Sequence, residues 1–233
     1  MRRFRFENVF NLRELGGYQT TDGLTKNKIF LRSDNITFLT NTEIQTLKEY
    51  GLTRVIDLRH MDEIEKERDP FENDPDVVYQ NTTYDALQTH SIDELNEWQL
   101  SKLYILMSEK EDFIQPVFEA LAEEEGTVLF HCSAGKDRTG VIASILLKLV
   151  GVDLYDIIAD YQVSKTYLHP KYNDMLNNPS IMYASLYDSK PETMFEFLNY
   201  LDDKYDSIEA YLNSKGISDK QIEQIRSKFI ERI

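Results

Sequence analysis

One cysteine, Cys132, occurs in 233 residues. A lone thiol excludes an intramolecular disulfide framework and a cysteine-rich zinc site, and it leaves a candidate nucleophile suited to a reducing compartment. Positive charge is also short: 26 Lys and Arg against 41 Asp and Glu give a net charge of −15. That balance repels nucleic acid and anionic membrane surfaces at long range, so nucleic acid is not an expected partner and attraction for any anionic substrate must be local, from loop amides, Arg138 and Lys136. No apolar run is long enough to cross a bilayer, since the best candidate, Val141 to Val150, is broken by Lys148. Met1-Arg2-Arg3-Phe4-Arg5 has the charge of a secretory leader's first region, but no apolar stretch follows it before Asn11-Leu12-Arg13-Glu14. The arginines therefore read as a solvated terminus and the cytoplasm is the expected location, with export by a route lacking a cleavable leader left open. The nine Gly and six Pro form no linker, and no repeat or low-complexity segment divides the chain, so one domain over residues 1–233 is expected.

What is present is the mix of a globular protein with a large core, 41% hydrophobic and 29% charged. Val9 to Leu12, Ile29 to Leu31, Val55 to Leu58 and Val77 to Tyr79 are short apolar runs bounded by turn residues and predict strands. Between the second and third, Thr40 and Glu43 form a capping box, Leu39 and Ile44 a hydrophobic staple, and Gly51 a stop, which together predict a helix. The resulting β-α-β order implies an α/β fold with a parallel sheet. Phe113, Val117, Phe118 and Leu121 recur at helical spacing within Asp112 to Glu125; Pro116 restricts the start, and Gly126 stops the helix before another strand, Thr127 to Phe130. Past Gly151 the chain reads as wholly helical, a portion of about 151–233. Asp153 caps a helix carrying Ile157, Ile158, Tyr161 and Leu168 that His169-Pro170 ends. The weakly patterned stretch of about 170–190 is a candidate lid or substrate-facing surface. Helices follow around Met194 to Leu201 and Ile208 to Leu212, and the last opens with a capping box of Ser218 and Gln221.

The apolar strand Thr127 to Phe130 runs directly into His131-Cys132-Ser133-Ala134-Gly135-Lys136-Asp137-Arg138-Thr139-Gly140, and a long apolar helix runs out of it. In a strand, tight loop and buried helix, the loop amides and the first free N–H groups of the helix can converge on one point where the dipole also favours negative charge. That is an anion site sized for phosphate. Cys132, at the strand end beneath those amides, is expected to be favoured as thiolate. Arg138 offers a planar fork matched to two phosphate oxygens. Gly135 permits a positive φ or a close backbone approach, and Gly140 lets the helix start lie against a neighbour. Strands of an open α/β sheet present ligands at their carboxyl ends, which brings Asp57 and Arg59 toward Cys132.

At these residues the sequence resembles the cysteine-dependent protein tyrosine phosphatases, whose signature is H-C-x5-R-[ST], and in its Gly-Lys-Asp-Arg-Thr-Gly version the bacterial tyrosine/serine and lipid phosphatase family. Asn11-Leu12-Arg13-Glu14-Leu15-Gly16-Gly17-Tyr18, Leu31-Arg32-Ser33-Asp34 and Val55-Ile56-Asp57-Leu58-Arg59 fit the same pattern, so the resemblance spans most of the chain. It implies a protein tyrosine phosphatase-like fold, a central mostly parallel sheet flanked by helices. It also implies a metal-independent phosphatase without cofactor: Cys132 attacks phosphorus, and Arg138 with the loop Ser133, Ala134, Gly135, Lys136 and Thr139 holds the phosphate. Thr139 either caps the helix or, as the resemblance favours, donates to the Cys132 sulfur. His131 is expected to face away from the thiol and fix the loop by bonding its backbone. Asp57 is expected to anchor a loop or an arginine, and Arg13, Arg32 and Arg59 are each either salt-bridge partners or substrate contacts. Lys136 either offsets Asp137 from an exposed position or meets a second anionic group of the substrate.

Two aspartates compete as proton donor to the leaving group: Asp85, in Thr83-Tyr84-Asp85-Ala86, stands where many cysteine phosphatases carry theirs, and the resemblance points instead to Asp137. The substrate is a phosphorylated protein, phosphotyrosine first, with phosphoserine/threonine and phosphoinositides also within the family, and inorganic phosphate in the site. Rival readings are a nucleotide-binding loop, a thiol sulfurtransferase and a non-catalytic phosphopeptide-binding module. The first fails because Phe130 replaces the first glycine and Asp137 the metal-binding hydroxyl. A sulfurtransferase has less need of the Arg-Thr-Gly sequel, and a binding module does not require Cys132.

Overall fold

The computed structural model describes residues 3–84, 100–176 and 188–232. Five strands form the main sheet in the order β1 (Arg13–Glu14), β3 (Phe30–Ser33), β6 (Thr127–His131), β4 (Leu52–Asp57) and β5 (Val78–Asn81). Only the β1–β3 pairing is antiparallel. The central strand β6 is buried at all five positions, as a parallel strand covered on both faces must be. Its last residue, His131, pairs with Ser33 of β3 and with Asp57 of β4. Three strands thus end in one row, and the chain leaves that row at Asp34, Leu58 and Cys132.

Helix α1 (Asn41–Tyr50) carries the reciprocal Thr40–Glu43 capping box and ends at Gly51 with φ 114°, as its termini predict. It covers one face of the sheet, where Leu47 and Tyr50 join Leu31, Val55 and Leu129. Helix α5 (Arg138–Leu149) covers the other, packing Val141, Ile142 and Ile145 into the core with Phe30, Val128 and Phe130. Around it lie α3 (Leu100–Glu109), α4 (Glu111–Glu123), α6 (Leu154–Leu176), α7 (Pro191–Lys204), α8 (Ile208–Ser214) and α9 (Asp219–Phe229). No helix among the described residues is long and apolar enough to cross a membrane.

Three sequence expectations are corrected, and one element is added. Val9 to Leu12 is not a strand: the amides of Phe10 and Asn11 donate to the buried Asp34 carboxylate at 3.1 and 2.8 Å, which removes them from any ladder. The C-terminal portion is not wholly helical, because β7 (Ile230–Arg232) pairs antiparallel with β2 (Gly23–Thr25). Helix α6 runs through Pro170 rather than ending there. Pro170 and Thr166 both lie on the exposed face, so the carbonyl that loses its donor faces water. A short helix α2 (Met61–Lys66) also follows β4, where the sequence carried no expected element. Of the candidate lid at 170–190, residues 170–176 are helix, 188–190 are loop, and the rest lies outside the described residues, as does Asp85.

The α1 cap yields a direct stability test. Thr40→Ala removes the acceptor for the Glu43 amide and is expected to cost about 1 kcal/mol in urea unfolding.

Candidate active site

The loop from Cys132 to Asp137 is held by its carbonyls. His131 O accepts from Leu58 N, and Ser133 O accepts from Asn35 N. The Asn11 side-chain amide donates to both Ala134 O and Gly135 O, at 3.0 and 3.1 Å, and Arg32 Nη2 reaches Gly135 O at 2.7 Å. In a planar trans peptide the C=O and the following N–H point in opposite directions, and no cis bond occurs among the described residues. Carbonyls drawn outward therefore turn the amides of Cys132, Ala134, Gly135 and Lys136 inward over the site. Gly135 has φ 64°, and a Cβ there would sit 2.2 Å from Ser33 O, so only glycine fits. The close approach is to β3 rather than to a ligand. At Gly140 a Cβ would meet the Tyr161 ring at an ordinary 3.5 Å, so that glycine is not forced by space.

The three arginines outside the signature are 0–1% exposed and support the loop or its flanks. Arg13 Nε pairs with Asp160 at 2.8 Å, Arg13 Nη2 donates to Ser164, and Arg32 Nη1 takes the other Asp160 oxygen. Burial acts to raise the Asp160 carboxyl, and the two guanidiniums bring it below the usual range. Burial and Arg13 lower Arg32 to about 10, still charged at neutral pH. Arg59 is clamped by both Asp57 oxygens and by Asn35 Oδ1 and Glu67 O. Asp57 therefore holds an arginine, and the guanidiniums of Arg13, Arg32 and Arg59 are each paired with a buried carboxylate, with Arg32 Nε left without a partner among the described residues.

His131 does face away from Cys132, but its imidazole does not bond the loop backbone. Alternation along β6 sends it into a buried acidic pocket where Nε2 lies 3.0 Å from Asp69 Oδ2 and 3.7 Å from Asp57 Oδ1. Burial disfavours the imidazolium, but the two carboxylates outweigh it and raise the His131 pKa. Asp57, Asp69 and His131 are close enough to share a cation, and Arg59 already pairs with Asp57 and lies 4.0 Å from Asp69.

Arg138 forms a bidentate pair that the signature did not reveal. Nη1 and Nη2 donate to Glu63 of α2 at 2.6 and 3.0 Å, Nη1 also to Leu58 O, and Ser133 Oγ donates to the same carboxylate. Burial alone would raise the Glu63 carboxyl; Arg138 brings it down to about 2. Glu63 also accepts from His60 N in a capping box whose N-cap is His60. An imidazole nitrogen replaces the usual oxygen, so the signal in the sequence was His-x-x-Glu rather than Ser/Thr-x-x-Glu.

Cys132 is 2% exposed at the foot of this cradle. Thr139 Oγ1 is buried with no hydrogen-bond partner, so it neither caps α5 nor bonds the sulfur. Lys136 is 1% exposed, not solvated; Nζ donates to Asp188 O at 2.9 Å and lies 3.3 Å from Asp137 Oδ1. Asp137 is partly open, its side chain 28% exposed.

With this geometry in place, comparisons add relatives. The family model described as "Tyrosine phosphatase family" matches residues 4–231. A tyrosine-protein phosphatase of Nostoc commune is 29% identical over 213 residues, covering 84% of this chain and 72% of its own. The triple specificity protein phosphatase PtpB of Mycobacterium tuberculosis is 32% identical over 116 residues, 42% of either chain. Among solved structures, TpbA of P. aeruginosa gives a TM-score of 0.41 at 15% identity, over 81% of this chain and 86% of its own.

Two experiments follow from the charges around the loop. Asp160→Asn leaves two buried guanidiniums with reduced compensation and should cost about 3 kcal/mol in urea unfolding, the lower end for breaking a buried pair, while weakening vanadate binding. For His131, the folded pKa is raised above the ordinary value of 6.5, so its stabilisation is complete below 6.5 and is lost as pH rises through the folded value. The unfolding free energy is expected to decline on that alkaline side, and Asp69→Asn, by lowering the folded value, should shrink the decline.

Proposed function

The chain belongs to the tyrosine phosphatase family, and from that premise we propose a metal-independent phosphomonoesterase that hydrolyses phosphotyrosine through a cysteinyl-phosphate. The observation that carries the reading is a single buried thiol beneath a loop in which the carbonyls of His131, Ser133, Ala134 and Gly135 are tied outward. The inward amides and Arg138 supply preorganised donors for the equatorial phosphoryl oxygens, where charge builds in the transition state. Arg138 is already oriented by Glu63, so little reorganisation accompanies phosphate binding.

The Cys132 thiolate attacks phosphorus in line; the S–P bond forms as the P–O bond breaks, and the electron pair leaves on the phenolic oxygen. Protonated Asp137 gives that oxygen its proton. In the second step Asp137, now a carboxylate, takes a proton from water as the water oxygen attacks phosphorus, and the S–P bond breaks to return the thiolate and release inorganic phosphate. Glu63 also touches the loop, at Ser133, and is partly open to solvent, but both of its oxygens are committed to Arg138. Nothing in this sequence of steps calls for a metal or cofactor. A lone thiol nucleophile suits the reducing cytoplasm.

Phosphotyrosine leads as substrate. One relative is named for triple specificity, which makes phosphoserine/threonine and phosphoinositide substrates the alternatives to be measured. Lys136, drawn onto Asp188 O and Asp137, does not offer a free ammonium to a second phosphate, so selectivity for polyphosphorylated lipids is not assigned to it. A non-catalytic phosphopeptide module or a sulfurtransferase would not need the acid and the thiol together.

Hydrolysis of p-nitrophenyl phosphate should survive EDTA and vanish in Cys132→Ser, while that variant still binds phosphate or vanadate. Substantial activity in Cys132→Ser, or a strict Mg²⁺ requirement, overturns the assignment. Asp137→Asn should lose at least about tenfold in kcat, more for basic leaving groups. A phosphate-release panel over phosphotyrosine, phosphoserine/threonine and phosphoinositides sets the substrate class.

A further inference from the structure

Asp137 occupies the N-cap position of α5 without capping it. An N-cap aspartate ordinarily accepts from an amide two or three residues on; this carboxylate turns the other way. Oδ1 accepts the hydroxyl of Tyr104, on α3, at 2.6 Å and lies 3.3 Å from Lys136 Nζ. Tyr104 Oη in turn lies 2.8 Å from Tyr161 Oη, on α6. The two rings are buried and meet edge to face, centroids 6.0 Å apart. Among the described residues no donor reaches Asp137 Oδ2. The charged and titratable groups facing this carboxylate are thus Lys136 from the loop, Arg138 from α5, Tyr104 from α3 and Tyr161 from α6.

Donor directions follow from valence. An ionised carboxylate only accepts, so the single proton of Tyr104 goes to Asp137 and that of Tyr161 to Tyr104. Burial first, and then the nearby carboxylate, push both phenols above their ordinary range, which keeps these protons in place. A proton on Oδ1 of Asp137 would meet the Tyr104 O–H head on, and the whole chain would have to reverse.

We propose that Tyr104, backed by Tyr161, is the positioning residue for the proton donor: by holding Oδ1 as an acceptor it leaves the acid's proton on Oδ2, the oxygen that reaches the leaving group. This rests on Asp137 being the general acid, as read above. As the P–O bond breaks, the Oδ2 proton moves to the leaving oxygen and its bonding electrons stay on Asp137. The negative charge appears on the carboxylate that Tyr104 and Lys136 already address. The Tyr104 bond becomes charge-assisted only as the proton departs, so it stabilises the transition state more than the ground state.

The test compares kcat/KM on phenyl phosphate and on p-nitrophenyl phosphate for Tyr104→Phe, Tyr161→Phe and Asp137→Asn. Tyr104→Phe should lose about tenfold on phenyl phosphate, whose leaving group needs the proton, and less than about threefold on p-nitrophenyl phosphate. Its alkaline limb should move to higher pH, because the carboxylate loses a donor to its charged form. Tyr161→Phe should show both changes with the same sign and smaller size, and it decides the matter by the same readouts should Tyr104→Phe fail to fold, as judged by vanadate binding. If Tyr104→Phe lowers both substrates by one factor with the limb unmoved, while Asp137→Asn retains its leaving-group dependence, Tyr104 is only a packing residue and the proposal is overturned. If Asp137→Asn itself shows no leaving-group dependence, the general-acid reading fails and takes this one with it.

Discussion

A loop can turn its amides onto an anion only if something else takes its carbonyls. Here Asn11, Arg32, Leu58 and Asn35 take them, and much of the surrounding architecture exists to hold those four groups in place. The common end row of β3, β6 and β4 supplies Asn35 and Leu58 just beyond the sheet. Arg32 would be an unpaired buried cation without Asp160, and Asp160 is shared with Arg13, which in turn bonds the Asn11 side chain. Removing one member leaves charge uncompensated inside the protein, the condition under which buried pairs become strongly destabilising.

The division of labour between charges follows from the same constraint. Asp57 and Asp69 are faced by Arg59 and His131 on one side of β6, and Arg13, Arg32 and Asp160 form a second set under the loop with one cation in excess. A chain of net charge −15 thereby keeps local positive character where the phosphate is to bind. The helix N-terminus contributes as well. Because Asp137 does not cap α5, the first amides of that helix are not consumed by a side chain.

Elements whose signals are local were legible in the sequence. Thr40, Glu43 and Gly51 fix α1 at both ends through contacts no more than four residues apart, and the strand-loop-helix around Cys132 follows from apolar runs and glycine. What the sequence did not disclose depends on partners far away in the chain. The strand pattern at Val9 to Leu12 is overridden by Asp34, 23 residues on from Asn11. Arginine is usually a surface residue, so its side chain gave no hint that Arg13 and Arg32 would meet Asp160. Glu63 escaped notice because its helix is short and is capped by a histidine. Helix α3 escaped because Leu103 to Met107 is an unbroken apolar run, which carries no period.

The outward bonds of the loop also set the order in which the protein can become functional. Asn11 reaches across 124 positions to Gly135, Arg32 across 103, and Arg13 across 147 to Asp160. Closing such long intervals is entropically slow relative to forming a local helix or turn. Helix α1 can form early from its own termini, but the phosphate cradle has no shape until early and late parts of the chain have met. A partly folded molecule would therefore carry the complete signature sequence and a native-like helix content while offering an anion nothing to bind.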